Sequence, residues 1–470
     1  MQIPEKVDYI IRKLKKNGYE GYAVGGCVRD RILGREPGDW DITTSAKPEE
    51  VKRIFTRTID TGIQHGTVTV MVDGEGFEVT TYRVDGEYED HRHPTRVEFT
   101  PNLEEDLKRR DFTINAMAYN PHVGIVDLFD GMGDIERRCI RCVGEPQERF
   151  SEDALRMLRG VRFAGQLGFE VEDKTLCAMK ELAPTIKKVS AERIRVELTK
   201  LLLSNTPERL LLAEQTGLCN VFLPEFSEML QTEQNNPHHC YNVGEHSMWA
   251  VRHIQELYGA VDENTPRDLN PYGKEESMDK VNTILIYAAL LHDVGKPSRK
   301  TQDENGIDHF YGHDVVGSEM ACDILRRLRF DNDTVQMVSK LVRFHERRYD
   351  GRRKTLRRLV SQVGKEAMSY LFLLQEADIR SQSDYEREDK LTRMKEAKEM
   401  YLELLEKEEP VSIKELAVTG NDLIGIGVKP GPRIGEILRQ LLEIVIENPT
   451  KNNKKTLLTE AQKHITIETR

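Results

Sequence analysis

Two aspartates separated by one tryptophan, Asp39 and Asp41 in "GDWDITTS", follow closely on the glycine pair Gly25–Gly26 and on Arg29 in "GGCVRD". Carboxylates this close repel one another unless a cation lies between them, and magnesium accepts carboxylate oxygens while keeping water and phosphate ligands. Read as a strand, "WDITT" sends Asp39 and Asp41 to one face and Trp40 to the other. An ordinary acidic surface strand has the same pattern, so the surroundings must decide. Gly25 and Gly26 follow the strand-like "YAV" and open a helix, where bare backbone N–H groups approach an anion; Arg29 lies one turn further on. A phosphate cradle beside carboxylate-held magnesium is the minimal equipment for nucleotidyl transfer, with one metal activating an attacking hydroxyl and a second neutralising the leaving pyrophosphate. Glu78 in "FEVTTYR" is a third acid, which either completes such a site or is a solvated strand residue.

A second pattern concerns base recognition. "EDALRMLRGVR" places Asp153, Arg156, Arg159 and Arg162 at spacing three. Each step of three falls about 60° short of a helical turn, so neighbours share a face while Asp153 and Arg162 do not. One reading is an exposed helix with a surface Asp–Arg pair. The other is chemical. Cytosine and adenine both present an amino group beside a ring-nitrogen acceptor, whereas uracil and guanine present a carbonyl and an N–H. A carboxylate accepts from the amino group and a guanidinium donates to the ring nitrogen, so one Asp–Arg pair can accept C and A and reject U and G.

A third pattern lies further along. "LLHDVGKP" supplies His292 and Asp293, "GEHSM" supplies His246, and His313, His345 and Asp378 recur among helices. Such a set suits one or two divalent cations, although a single histidine on an apolar helix is also an ordinary core residue. Cys139 and Cys142 form a CxxC without a second pair, which is weak support for a metal or redox site.

The elements that must position these groups change character along the chain. Up to about residue 135, short β-branched runs ("YAVGG", "WDITT", "GTVTVMVD", "FEVTTYRVD") alternate with helical segments, as in a mixed α/β sheet domain. Val68, Val70 and Val72 alternate, which gives their strand one buried face. Beyond about residue 137 the pattern is helical, with a linker near Gln231–Pro237 and a polar loop over "VDENTPRDLNPYGKEESMDK". The chain has 470 residues, 38% hydrophobic and 32% charged, too many for one compact core. No apolar run reaches the roughly 18 residues that span a membrane, and the amphipathic start, ending at Gly18, is not a signal peptide. Seven scattered cysteines argue for a reducing, cytoplasmic setting. A net charge of −11 is unlike that of a nucleic-acid coat protein, but "RFHERRYDGRRKTLRRL", Arg343 to Leu359, is a local basic patch, either a solvated helical face or a phosphate-backbone contact.

Taken in order, "AVGGCVRDRILGREPGDWDITTSAKPEEV", "GTVTV…EVTTYR", "EEDLKRRDFTINAMAYNP" and "SEDALRMLRGVRFAGQLGF" resemble the class II tRNA nucleotidyltransferases, the CCA-adding enzymes, whose relatives are the bacterial poly(A) polymerases within the polymerase-β superfamily. The resemblance runs from about residue 20 to 215. It implies Asp39 and Asp41 as magnesium ligands, Asp153 and Arg156 at the base, and Arg110, Arg159 and Arg162 on the nucleotide. Asp111 or Asn115 would then lie near the ribose. It also implies tRNA 3′ ends, CTP and ATP as partners, with no obligatory protein partner evident. The stretch between Arg83 and Phe99 occupies the place of a loop associated with the final A addition, and looks full length. His246, His292, Asp293 and Asp378 resemble the core motif of HD-domain phosphohydrolases, with His313 and His345 belonging to a two-metal version that would hold manganese, nickel, magnesium or iron. "GVKPGPRIGEIL" resembles a C-terminal segment of HD-containing members; physically, its backbone N–H groups with Lys429 and Arg433 suit a tRNA phosphate, and a surface helix cap is the alternative. The expected architecture is an α/β nucleotidyltransferase head of mixed sheet and helices (1–135), followed by an all-α neck (136–235), an HD body (236–385) and a C-terminal helical tRNA-binding segment (386–470). The expected reaction is CCA addition to tRNA. A-only addition, poly(A) addition, or an HD-type nucleotide or cyclic-phosphate hydrolase with an inactive head are the alternatives.

Overall fold

In "EKVDYIIRKLKK" the apolar residues Val7, Ile10, Ile11 and Leu14 fall on one helical face. α1 (Glu5–Lys16) forms there and buries all four, with lysines in its last turn opposing the helix dipole. The chain leaves it through Gly18 at φ +87°. The computed structural model describes residues 1–85, 97–259 and 275–466. The loop expected between Arg83 and Phe99 therefore falls largely outside the described residues, as does most of the polar loop after residue 260.

The chain divides into two compact units, Met1–Ser227 and Glu228–Arg470. In the first, β1 (Gly21–Val24), α2 (Gly26–Ile32), β2 (Ile42–Thr44), α3 (Pro48–Ile54), β3 (Thr58–Gly62), β4 (Thr67–Val72) and β5 (Glu75–Thr81) come in succession. β6 (Arg83–Asp85) and β7 (Val97–Phe99) pair only with each other, and α4 (Leu103–Lys108), β8 (Met117–Asn120) and β9 (Gly124–Asp127) follow. The main sheet has the order β3-β4-β5-β2-β1-β8-β9. It is mixed: β2 runs parallel to β5 and the other neighbours are antiparallel. Val68 and Val70 are fully buried, as their alternation predicts, while Val72 at the strand end is half-buried. Tyr22, Val24, Tyr82 and Ala118 pack with Leu107 of α4, and this fixes where α4 delivers the following Arg109–Arg110.

One expectation needs correcting. β2 begins at Ile42, so Asp39 and Asp41 precede the strand rather than lie within it. The ladder nevertheless reaches Asp41, whose carbonyl accepts a 3.0 Å hydrogen bond from the Val24 N–H. The parallel register, Ile42 opposite Val79, brings Asp41 level with Glu78 one residue earlier on each chain. Ile42 and Val79 are buried, and the two acids take the opposite, exposed face.

Helices complete this unit: α5 (Gly131–Glu136), α6 (Pro146–Glu152), α7 (Leu155–Leu167), α8 (Asp173–Leu182), α9 (Ala191–Leu202), α10 (Leu210–Gln215) and α11 (Cys219–Phe222); the division between units falls within α12 (Pro224–Leu230). α7 packs on α9. The expected continuous helix over "EDALRMLRGVR" is broken at Asp153, which has φ −143° and ψ 105°. Its carboxylate accepts from the Leu155 N–H at 3.0 Å, a local bond that competes with helix continuation.

The second unit is helical: α13 (Val243–Gly259), α14 (Glu275–Leu291), α15 (Lys296–Arg299), α16 (His313–Arg327), α17 (Asn332–Phe344), α18 (Arg353–Val363), α19 (Lys365–Ser381), α20 (Arg387–Glu406), α21 (Gly420–Gly425), α22 (Pro432–Glu447) and α23 (Lys454–Thr466). Leu423, Ile437, Leu441, Val445, Leu457 and Ala461 form a separate core near its end. The basic patch is largely spoken for. Arg343 pairs with Asp314, Arg353 with Glu403, Lys354 with Glu447, Arg357 with Glu409 and Arg358 with Glu443. Arg357 also donates to the Ile446 carbonyl at 2.7 Å. These side chains fasten α18 to α20 and α22, which supports the structural reading of the patch over the phosphate-contact one.

Candidate functional site

A cavity of about 380 Å³ opens in the first unit, lined by Gly25, Gly26, Arg29, Asp41, Arg109, Arg110, Asp111, Asn115, Asp153, Arg156, Arg159, Phe163 and Arg193. Six arginines face three aspartates there, a local excess of positive charge inside an acidic protein, as an anion such as a triphosphate requires. The volume is within the usual range for small-molecule sites.

The glycine turn shapes one wall. Gly25 has φ +84°, and a Cβ on it would lie 3.2 Å from Arg110 Nη1, so both conformation and space favour glycine. Arg29 of α2 is buried; it donates to Asn115 Oδ1 at 2.7 Å and to Asp30 Oδ1 at 2.8 Å. Arg110 is anchored through Nη2 to Asp106 at 3.3 Å, while its Nε is buried without a hydrogen-bond partner among the described residues. An orphaned guanidinium donor beside a basic cavity is what an absent anionic ligand would satisfy. Asp106 is fully buried; burial pushes its carboxyl up, but Arg109 and Arg110 outweigh this and hold it below the ordinary carboxylate range.

Asp111 accepts from Arg159 Nε at 2.7 Å, from the Phe112 N–H at 2.8 Å and from Asn115 Nδ2 at 3.4 Å. Burial raises its carboxyl, yet the guanidinia of Arg159 and Arg156 and these bonds prevail and hold it at about 2. The folded value lies below the unfolded one of about 3.9, so the associated stability is present above pH 4 and lost as pH falls through about 2. Asp111→Asn should cost about 2 kcal/mol at pH 7 and flatten the acid-side loss between pH 4 and pH 2. Urea unfolding at a series of pH values checks this.

The acids stand together at the cavity mouth. The Asp41 carboxyl is held above its ordinary range, first by loss of water around it and then by the Glu78 and Asp39 carboxylates, with Arg110 pulling the other way. Asp39 and Glu78 are exposed and do not line the cavity itself. Asp39, Asp41 and Glu78 do not all come within 4.8 Å of one another. Asp41, its proton affinity raised by two neighbouring carboxylates, fits a divalent cation site.

On the facing wall the two expected base readers have partners of their own. Arg156 donates to Glu152 Oε2 at 2.6 Å and to the carbonyls of Arg149 at 3.3 Å and Arg109 at 3.0 Å. Asp153 instead meets Arg193 of α9, Nη2 to Oδ2 at 2.6 Å. Phe163 lies under three guanidinia, 3.9 Å from Arg162, 5.3 Å from Arg29 and 5.4 Å from Arg159, in cation–π range. Arg162 is buried against Glu197 and Gln166 and is not part of the cavity lining. Arg109, Phe163 and Arg193 were not among the sequence candidates.

Residues 21–141 match the family described as Poly A polymerase head domain, 168–230 an RNA- and SrmB-binding site of polymerase A, and 314–461 tRNA nucleotidyltransferase domain 2. The CCA-adding enzyme of Levilactobacillus brevis is 34% identical over 460 residues, 97% of this chain and 98% of that one. That of Enterococcus faecalis is 35% identical over 97% of this chain and 94% of its own. The chain belongs to the CCA-adding enzyme family. The solved Bacillus stearothermophilus CCA-adding enzyme in complex with CTP is similar at 29% identity and TM-score 0.69, covering 100% of this chain and 99% of that one. The Thermotoga maritima CCA-adding enzyme complexed with tRNA CCA shares the fold, at 19% identity, TM-score 0.56 and coverage of 98% and 96%. No described helix is long and apolar enough to cross a membrane.

This family member carries a further polar cluster in its second unit. His246 of α13, His292 and Asp293 after α14, His313 opening α16 and His345 closing α17 are all buried, and Asp378 of α19 joins them half-buried. Two groups of donor atoms, His246–His292–Asp293 and Asp293–His313–His345, each lie within 4.8 Å and share Asp293. Oδ2 of Asp293 is 3.2 Å from His292 Nε2 and 3.6 Å from His246 Nε2; Oδ1 is 3.3 Å from His313 Nε2 and 3.5 Å from His345 Nε2. The Nδ1 atoms of His246, His292, His313 and His345 face the carbonyls of Ser381, Ala289, Phe310 and Val342 at 3.3, 2.8, 2.8 and 2.7 Å. A carbonyl only accepts, so each Nδ1 carries a proton, and each Nε2 points inward toward the carboxylates of Asp293 and Asp378. A hydrogen bond from the far ring nitrogen to a backbone carbonyl orients a metal-binding histidine in this way. Lys296 Nζ is 2.6 Å from Asp293 Oδ2, and burial of that carboxyl is outweighed by His292 and Lys296, which hold it well below the ordinary range.

Proposed function

We propose that this protein adds C, C and A in turn to the 3′ end of tRNA, using CTP and ATP and releasing pyrophosphate. The observation that carries the reading is that one cavity joins the Asp41 carboxylate, a wall of arginines and the Asp153–Arg156 pair. In this reading the tRNA 3′-hydroxyl attacks the α-phosphorus, the new O–P bond forms as the bond to the β-phosphate oxygen breaks, and the hydroxyl proton passes to solvent. Arg29, Arg110 and Arg159 hold the triphosphate, with the Gly25–Gly26 turn allowing its close approach. Asp111 and Asn115 border the ribose, and Asp111 keeps Arg159 in place. Magnesium held by Asp39 and Asp41, with Glu78 beside them, would supply charge neutralisation at the reacting phosphates. Asp153 accepts from the exocyclic amino group and Arg156 donates to the ring nitrogen, which favours C and A without a template. Arg162 acts on the nucleotide only through Phe163 and the arginines that ring shares.

The test is extension of tRNAs ending before CCA, after C and after CC, each offered CTP, ATP or both, read at single-nucleotide resolution. Addition of C, C and A followed by a stop is expected. A long A tail, or A added only after CC, would overturn it in favour of poly(A) or A-only addition.

A second reading concerns the other unit, where inward-facing imidazole nitrogens meet a shared Asp293. His246, His292, Asp293 and Asp378 would hold one divalent cation and Asp293, His313 and His345 another, a set suited to hydrolysis of a phosphate ester. Borderline imidazole-rich ligands favour manganese, nickel or iron over magnesium. Both activities suit a cytoplasmic protein.

A further inference from the structure

We propose that Arg193 is a positioning residue for nucleotide selection: its guanidinium fork holds the Asp153 carboxylate open to the base and out of reach of Arg156. This rests on the base-reading role given above to Asp153 and Arg156. Arg193 lies in the first turn of α9, 40 residues along the chain from Asp153, and reaches the cavity because α9 packs on α7. It makes a two-pronged contact, Nη1 to Oδ1 at 3.3 Å and Nη2 to Oδ2 at 2.6 Å. The Leu155 N–H takes Oδ1 as well, at 3.0 Å.

A carboxylate offers about four acceptor positions. Three are filled by these bonds, two on Oδ1 and one on Oδ2. What is left is a single acceptor position on Oδ2, enough for the amino group of cytosine or adenine and of no use to the carbonyl of uracil or guanine. Arg156 is treated alike. Of its five N–H donors, three are committed to Glu152 and to the carbonyls of Arg149 and Arg109, which leaves two for a ring nitrogen. Each reader is thus held from behind by its own counter-ion, Asp153 by Arg193 and Arg156 by Glu152. Without Arg193, Asp153 has an unpaired guanidinium-binding face and Arg156 three residues away. Closure of that pair would remove the acceptor and the donor from the base together.

The experiment compares kcat/KM for CTP and UTP on tRNA lacking CCA in the wild type, Arg193→Ala, Arg193→Lys, Asp153→Ala and the double Arg193→Ala/Asp153→Ala variant. Arg193→Ala should narrow the CTP-to-UTP preference at least about tenfold, the scale of one charge-assisted hydrogen bond. Arg193→Lys keeps the charge but loses the fork, and should restore part of the CTP rate with a preference still below wild type. The double variant should be no less selective than Asp153→Ala alone. If Asp153→Ala narrows the preference while Arg193→Ala lowers CTP and UTP use by the same factor, Arg193 is merely structural and the proposal fails, with the base reading intact. If Asp153→Ala leaves the preference unchanged, the base reading itself fails and the role of Arg193 goes with it. Should Arg193→Ala not fold, Arg193→Lys decides: a preference equal to wild type overturns the proposal.

Discussion

Asp41→Ala lowers nucleotide incorporation by about 10³-fold or more, because a metal at a transferring phosphate is worth several kcal/mol of transition-state stabilisation. Asp39→Ala has an effect of the same order. The reasoning starts from the strand register. β2 and β5 run parallel with Ile42 opposite Val79, which places Asp41 and Glu78 side by side on the exposed face of the sheet. Asp41 is held above its ordinary range by loss of water and by the Glu78 and Asp39 carboxylates, against the pull of Arg110. A cation relieves this strain and protons compete with it. Activity at limiting magnesium should therefore rise with pH above the ordinary carboxylate range and become less pH-dependent as magnesium is increased. Arg29, Arg110 and Arg159 are held in place by Asp30, Asp106 and Asp111 rather than by Asp41, so Asp41→Ala should still bind CTP within a few-fold of wild type. Single-turnover incorporation together with equilibrium CTP binding checks both halves. Retention of a tenth of wild-type incorporation by Asp41→Ala would remove these acids as the metal ligands.

The parts of this site that were legible in the sequence are those built from neighbours in the chain. Gly25, Gly26 and Arg29 share one turn, and Arg110, Asp111 and Asn115 share one short run, so their meeting needs only local geometry. Asp41, just ahead of β2, and Glu78 of β5 are far apart in the chain, but both announce themselves as acids among β-branched residues. Arg193 had no such signal. "AERIRVELTKLL" reads as an amphipathic helix, and only the packing of α9 on α7 turns one of its arginines toward Asp153. Phe163 read as one more apolar residue of α7, although three guanidinia use its face. Spacing misled in one place. Counting by threes from Asp153 assumed a single helix through Arg162, but the chain is extended at Asp153 and α7 starts at Leu155. Arg162, which the count by threes already turns away from Asp153, meets Glu197 and does not line the cavity. The basic patch left two readings open because the acids that neutralise Arg353, Arg357 and Arg358 lie 50 or more residues away. Sequence proximity shows a cluster of charge, but only the fold shows what it is paired with.

Asp293→Ala abolishes divalent cation binding by the second unit, whereas His345→Ala removes only one of two cations. His246 and His292 bring their Nε2 atoms to 3.2 Å, and His313 and His345 bring theirs to 3.3 Å. With every Nδ1 proton facing a backbone carbonyl, the Nε2 atoms of each pair meet in a buried space beside carboxylate oxygens of Asp293 and Asp378, an arrangement that needs a proton or a cation at each pair. Asp293 lies between the pairs with one oxygen toward each, so its loss removes a ligand from both positions, while His345 serves only one. The measurement uses the full-length chain carrying Asp39→Ala and Asp41→Ala, so that the head contributes no cation, loaded with manganese or nickel, desalted and assayed for metal per chain. Two equivalents are expected with the histidine cluster intact, about one after His345→Ala and none after Asp293→Ala. Nickel also reports its ligands in its visible spectrum, so loss of imidazole coordination should be seen independently of stoichiometry. Two equivalents surviving Asp293→Ala would exclude a shared aspartate bridge. Zero equivalents with the cluster intact would mean that the imidazoles share protons, and the cluster would then be a buried polar core that ties α13, α14, α16, α17 and α19 together.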